Sequence, residues 1–120
     1  MKKILIVEDD SHVRQIYHTM LTTEGFEVDE CVTAQEGLTK AQSYLPDLIL
    51  LDIMLPGGMN GFDFLEQLKR IQTLEKVPVI VLTNLDNARS TALSIGAVDY
   101  IVKTETAIED VIKRIKDHLS

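Results

Sequence analysis

Five polar residues stand where apolar runs end. Glu8 and Asp9 follow Ile4-Leu5-Ile6-Val7, and Asp52 follows Leu48-Ile49-Leu50-Leu51. Thr83 follows Val79-Ile80-Val81-Leu82, and Lys103 follows Tyr100-Ile101-Val102. If the runs are parallel strands, all five residues lie on one rim of a sheet. Carboxylates crowded into one cleft repel one another, and a pKa rises unless a cation sits among them. The set is rich in oxygen and has no His or Cys, which favours a hard cation, Mg²⁺ or Mn²⁺, over zinc. Lys103 across the cleft adds a second positive group, so the rim suits a phosphoryl group held between metal and lysine. No Gly-x-x-x-x-Gly-Lys or Gly-x-Gly-x-x-Gly loop is present to cradle a nucleotide. What remains is transfer onto a protein group, and a carboxylate such as Asp52 is a known kind of acceptor.

The elements that must position these residues are legible as a sequence of alternating strands and helices. Leu48–Leu51 has no polar alternation, as expected of a strand buried on both faces of a parallel sheet. Ile4–Val7 and Val77–Leu82 read the same way, and Asp99–Val102 is a short fifth strand. Phe26–Val32 is more polar and belongs at an edge. Between the strands lie helices. Asp10 or Ser11 caps the first, with Val13, Ile16, Tyr17, Met20 and Leu21 on its apolar face. Thr33 and Glu36 have the form of a capping box for the second, which carries Leu38, Ala41 and Leu45 and stops before Pro46. Asn60 caps the third, with Phe62, Leu65 and Leu68 on one side. A weakly apolar fourth runs from Asn87 to Ile95. Thr106 and Glu109 form a second capping box before the last helix, which buries Ile108, Val111, Ile112, Ile115 and Leu119. The pattern predicts an α/β fold, a flavodoxin-like, doubly wound (βα)5 arrangement with a five-stranded parallel sheet in the order 2-1-3-4-5. In that order the first and third strands, which carry the acids, are neighbours at the switch point where ligands bind.

Composition bounds the reading further. The 120 residues suit one domain, 1–120, and the balance of 45% apolar and 26% charged residues is that of a globular chain. The net charge of −7 argues against direct nucleic-acid binding. A single Cys, Cys31, excludes an internal disulfide and reads as a small apolar strand residue. No stretch is long enough to span a bilayer and the start is no signal peptide, so a cytoplasmic protein with no membrane partner is expected. His12, His18 and His118 are scattered on helices and read as surface residues. Taken alone, Glu8-Asp9-Asp10 would be a strand-to-helix turn and Lys103 a solvated charge; their convergence with Asp52 makes the case.

At this point the chain resembles the receiver domain of two-component response regulators. The resemblance rests on Ile4-Leu-Ile-Val-Glu-Asp-Asp10, on Leu51-Asp52-Ile-Met-Leu-Pro56 with Gly61, on Val81-Leu-Thr83 and on Asp99-Tyr-Ile-Val-Lys103. It covers nearly the whole chain. It implies that Asp52 accepts a phosphoryl group from a sensor histidine kinase or a histidine phosphotransfer protein. It implies that Glu8, Asp9, Asp52 and the backbone carbonyl of Met54 hold Mg²⁺ or Mn²⁺, that Thr83 and Lys103 contact the phosphoryl group, and that Thr83 and Tyr100 form a switch. The switching surface would be the fourth helix, fifth strand and last helix. Such a module assists its own phosphorylation and dephosphorylation without being a turnover enzyme. A receiver-like interaction module that works without phosphorylation is the alternative, and a flavin carrier ranks last because the loop after the first strand is acidic. The chain departs from the family pattern in a longer turn at Gly57-Gly58, in Asn84 after Thr83, and in Thr104 where Pro usually follows the lysine.

Overall fold

The computed structural model describes residues 1–120. Its strands are β1 (Lys3–Val7), β2 (Glu27–Cys31), β3 (Leu48–Leu51), β4 (Val79–Thr83) and β5 (Asp99–Val102). Its helices are α1 (Ser11–Thr23), α2 (Ala34–Tyr44), α3 (Gly61–Lys69), α4 (Arg89–Ile95) and α5 (Ile108–Leu119). All strand pairs are parallel, in the order β2-β1-β3-β4-β5. The expected doubly wound fold is the one observed.

The unbroken apolar runs follow from burial on both faces. Leu5, Val7, Ile49, Leu51, Val79 and Val81 pack on one side with Ala41, Phe64, Leu68 and Ala92 of α2, α3 and α4. Their alternate neighbours Ile4, Ile6, Leu48, Leu50, Ile80 and Leu82 pack on the other with Tyr17, Leu21, Val111 and Ile115 of α1 and α5. Strand side chains alternate between faces, so a strand covered twice has no position left for a polar residue. β2 is at the edge, as its polar sequence required, and only its Cys31 is buried. No helix is long and apolar enough to cross a membrane.

Several local expectations need correction. Thr33 accepts from the Glu36 N–H at 3.1 Å, but the Glu36 carboxylate reaches the Val32 N–H instead of closing the box at Thr33. Thr106 caps nothing: α5 starts at Ile108 behind Ala107, with no side-chain cap. The reciprocal box is at Asn60 and Asp63, each side chain accepting from the other's N–H at 3.0 Å. Leu45 is 52% exposed, because α2 ends there in a left-handed residue ahead of Pro46 that turns the side chain outward. β4 begins after Pro78, whose ring lacks an N–H, although its carbonyl still accepts from Ile49 at 3.0 Å. α4 is shorter than expected, seven residues with no side-chain cap and only Ala92 buried. His18 and His118 are not isolated; they lie 2.9 Å from Glu30 and 3.4 Å from Asp99.

The turn after β3 is tied back to the sheet at Gly61, whose N–H donates to the Ile53 carbonyl at 2.8 Å. A Cβ at Gly61 would lie 2.5 Å from the Asp52 carbonyl oxygen and 2.6 Å from the Ile53 Cα. Any side chain there pushes on the backbone that carries Asp52. Gly61→Ala is expected to cost about 1–3 kcal/mol, as overpacking does. It should also move the backbone amide resonances of Asp52 and Ile53. Urea denaturation and an amide correlation spectrum check both.

Candidate functional site

The hydrogen-bond ladder of the sheet continues into the polar rim. Val7 of β1 is in register with Leu51 of β3, so the residues that follow them emerge side by side. The Asp52 N–H donates to the Val7 carbonyl and the Glu8 N–H to the Cys31 carbonyl, each at 3.0 Å. Both acids therefore sit on backbone still held by the core. On the other side, Thr83 closes β4 in register with Val102 of β5, and Lys103 follows directly. From there Lys103 reaches back across the rim. Its Nζ lies 2.6 Å from Glu8 Oε1 and 3.0 Å from Asp52 Oδ2. The side chains of Glu8, Asp52 and Lys103 are 4%, 7% and 15% exposed, so this ion triad lies largely out of water.

The remaining acid oxygens are also engaged. Asp10 N–H donates to Glu8 Oε2 at 3.1 Å, and Met54 N–H donates to Asp52 Oδ1 at 3.1 Å. Asp9 completes the group from an exposed position, with ligand oxygens of Glu8, Asp9 and Asp52 all within 4.8 Å of one another. Burial pushes the Glu8 carboxyl up from its ordinary 4.5 to about 7; the Lys103 hydrogen bond opposes this and the Asp52 charge adds to it. Burial works against the charge of Lys103, but the two carboxylates outweigh it and hold its pKa above the ordinary lysine value. The donor set fits a hard divalent cation. It offers only oxygens, it carries more negative charge than one ammonium balances, and one member faces solvent.

Thr83 is fully buried, and its Oγ1 accepts from the Leu85 N–H at 3.4 Å. Tyr100 is 3% exposed, pairs with Val81 in the sheet, and its hydroxyl donates to the Leu85 carbonyl. Thr83 and Tyr100 are thus joined through both polar groups of one residue. Arg89, the first residue of α4, donates to the Tyr100 carbonyl at 2.9 Å. Met54 places its side chain in solvent, 59% exposed. Gly57 and Gly58 have φ of 93° and 85°, a left-handed pair that only glycines adopt without strain. Asn84 and Thr104 are exposed, and no peptide bond is cis.

Sequence reasoning missed four charged residues, Arg14 and Glu30 beside the acid pair and Asp99 and Arg114 at the opposite end of β5. Arg14 donates to the Glu8 and Asp9 carbonyls and to Glu30. Asp99 is nearly buried and takes Arg114 from α5. In the sequence each of these looks like a solvated charge, and no spacing rule distinguishes them.

A model of the response regulator receiver domain matches residues 4–116. Response regulator ArlR of Staphylococcus aureus is 39% identical over 118 residues, which is 97% of this chain and 52% of that protein. The chain thus spans about half the length of the curated relatives it matches. The BeF3-activated N-terminal receiver domain of Klebsiella pneumoniae RstA superposes with a TM-score of 0.90 at 32% identity, covering 98% of each chain. The response regulator TrrA of Thermotoga maritima, in complex with Mg²⁺ and BeF, gives 0.88 at 30% identity over 99% of this chain and all of that one.

Lys103 is the cation that separates Glu8 from Asp52. Lys103→Met is expected to destabilise the metal-free protein by about 3 kcal/mol, since breaking a buried ion pair strands the opposite charges. Adding Asp52→Asn should recover most of that loss; urea denaturation in EDTA measures it. The raised pKa of Glu8 sets a sign with pH. Its protonated form contributes stability below about 4.5, and that contribution is lost as pH rises through about 7. Between pH 5 and 8 the urea midpoint of the metal-free protein should fall more steeply than that of Glu8→Gln.

Proposed function

Because the chain belongs to the response regulator receiver domain family, signalling phosphoacceptor domains of two-component systems, we propose that Asp52 is its phosphoacceptor. Receiver domains of response regulators interact with histidine kinases. The donor for this chain is a sensor histidine kinase or a histidine phosphotransfer protein. One observation carries the assignment: Asp52 follows β3, the middle strand of the sheet, and its carboxylate touches the Lys103 ammonium with the Glu8-Asp9 pair beside it.

In the transfer an Asp52 carboxylate oxygen attacks the phosphorus of the donor. The bond from phosphorus to the donor's imidazole nitrogen breaks, and that nitrogen keeps the electron pair. Phosphoryl transfer depends on positioning and charge neutralisation more than on covalent machinery. Glu8, Asp9, Asp52 and the Met54 carbonyl would hold Mg²⁺ or Mn²⁺, which supplies positive charge beside the transferred group. Lys103 exchanges its carboxylate partner for phosphoryl oxygens, and its raised pKa keeps it charged throughout. The Thr83 hydroxyl donates to the phosphoryl group, which draws on the residue that already contacts Leu85. Leu85 also takes the Tyr100 hydroxyl, so a change at Thr83 bears on β5 and on Arg89 at the start of α4. α4 buries only Ala92 and has no side-chain cap, which makes it the helix whose packing shifts most easily. The α4-β5-α5 face is then the surface that reports phosphorylation.

Incubation with Mg²⁺ and acetyl phosphate should add one phosphoryl mass to the intact chain and none to Asp52→Asn. Hydrogen exchange across α4 should change with the same treatment. No increment, together with no spectral response to Mg²⁺ and beryllofluoride, would favour an interaction module that works without phosphorylation.

A further inference from the structure

The loop carrying Glu8 and Asp9 has a side-chain support that none of the roles above uses. Arg14, in the first turns of α1, lays its guanidinium against this loop. Its Nη1 donates to the Glu8 carbonyl and to the Asp9 carbonyl, each at 3.0 Å. Its Nε donates to Glu30 Oε1 at 3.3 Å, from the edge strand β2. The other Glu30 oxygen lies 2.9 Å from His18 Nδ1 on α1. The Arg14 side chain is only 16% exposed, so the contact is largely shielded from water.

The geometry acts on Asp9. That residue is exposed, and no side-chain hydrogen bond holds its carboxylate, so the Cβ direction set by its backbone is what the fold supplies to aim it. The Glu8 carbonyl belongs to the peptide plane before the Asp9 Cα, and the Asp9 carbonyl to the plane after it. Fixing both planes fixes φ and ψ of Asp9, and with them the direction of its Cβ. The Glu8 N–H is already held by β2 through the Cys31 carbonyl, and the guanidinium from α1 adds a second restraint. A planar fork with several donors suits this task, since it can span two carbonyls and still turn an N–H to Glu30.

We propose that Arg14, held in place by Glu30, is a positioning residue for the acid pair: it orients Asp9 for the divalent cation by clamping the carbonyls on both sides of its Cα. This rests on the reading of Glu8, Asp9 and Asp52 as the cation site. Outer residues that orient metal ligands commonly matter 10–100-fold in affinity. Lysine at this position keeps the charge but loses the separate donor to Glu30.

The test is Mn²⁺ affinity by electron paramagnetic resonance on the 120-residue chain, with urea midpoints in EDTA as the folding control. Arg14→Ala should weaken Mn²⁺ binding on the order of tenfold. Arg14→Lys should recover only part of this. Glu30→Gln should weaken binding less than Arg14→Ala, and should add nothing in the Arg14→Ala background. In phosphorylation by acetyl phosphate, the Mn²⁺ concentration giving half the maximal rate should rise while the maximal rate stays near that of the parent. Parent-like affinity in folded Arg14→Ala, full recovery by lysine, or a Glu30→Gln loss of equal size in both backgrounds would overturn the proposal. If Arg14→Ala does not fold, Glu30→Gln carries the test, and parent-like affinity in that variant overturns it. Failure of the cation-site reading looks different: the parent chain binds no Mn²⁺, or Asp9→Asn binds it as tightly.

Discussion

Like charges that must share one cleft are the constraint around which this molecule is arranged. Glu8, Asp9 and Asp52 have ligand oxygens within 4.8 Å of one another, and two of the three are out of water. Such a group is unstable by itself, because each carboxylate raises the cost of ionising the next. The chain answers with Lys103, brought across two strands to touch both buried acids. One ammonium does not balance three carboxylates. The site is left short of positive charge, which suits its oxygen donors to a divalent cation. Charge deficit, not cavity shape, is what the rim offers a ligand.

Holding repelling groups together needs a rigid base, and the sheet supplies it. Apolar side chains cover both faces of β1, β3 and β4. The backbone ladder runs past the last apolar residue to the first acid on each of the two acid-bearing strands. The acids cannot relax apart without breaking ladder bonds anchored in the core. Gly61 shows how tight this base is, since even one methyl group there would meet the backbone of Asp52 and Ile53. Thr83, Tyr100 and Lys103 lie on the other half of the sheet. There α4 is short and thinly packed, with no side-chain cap and only Ala92 buried.

Much of this was legible in the sequence, for physical reasons that particular residues illustrate. Leu48–Leu51 announces a strand buried twice because four large apolar side chains in a row, bounded by Pro46 and the Pro56-Gly57-Gly58 turn, are too short a run for a buried helix. Strand direction then carries Glu8, Asp9, Asp52, Thr83 and Lys103 to one rim without further information. The polar Glu27–Glu30 stretch gives away the edge. What the sequence hid depends on local geometry or on pairs far apart in the chain. Thr106 and Glu109 have the spacing of a capping box, yet α5 starts one residue too late for it to form. Leu45 fits an apolar stripe, but the left-handed turn before Pro46 swings it out. Arg14 meets Glu30 and Asp99 meets Arg114 only once the sheet is built, so their sequence signal is that of ordinary surface charge.

The edge strand has one more consequence. β2 offers an unpaired row of backbone groups, the kind of template on which a second chain can add a strand and start a growing aggregate. Glu27, Asp29 and Glu30 line this edge, and the cations paired with the last two come from this chain's own helices: Lys40 for Asp29, Arg14 and His18 for Glu30. Another copy of β2 laid alongside would crowd a second row of acids against cations that are already engaged. The strand whose Cys31 carbonyl holds the loop of the acid pair therefore also discourages a further strand on its own edge of the sheet, a form of colloidal self-protection written into the same few carboxylates.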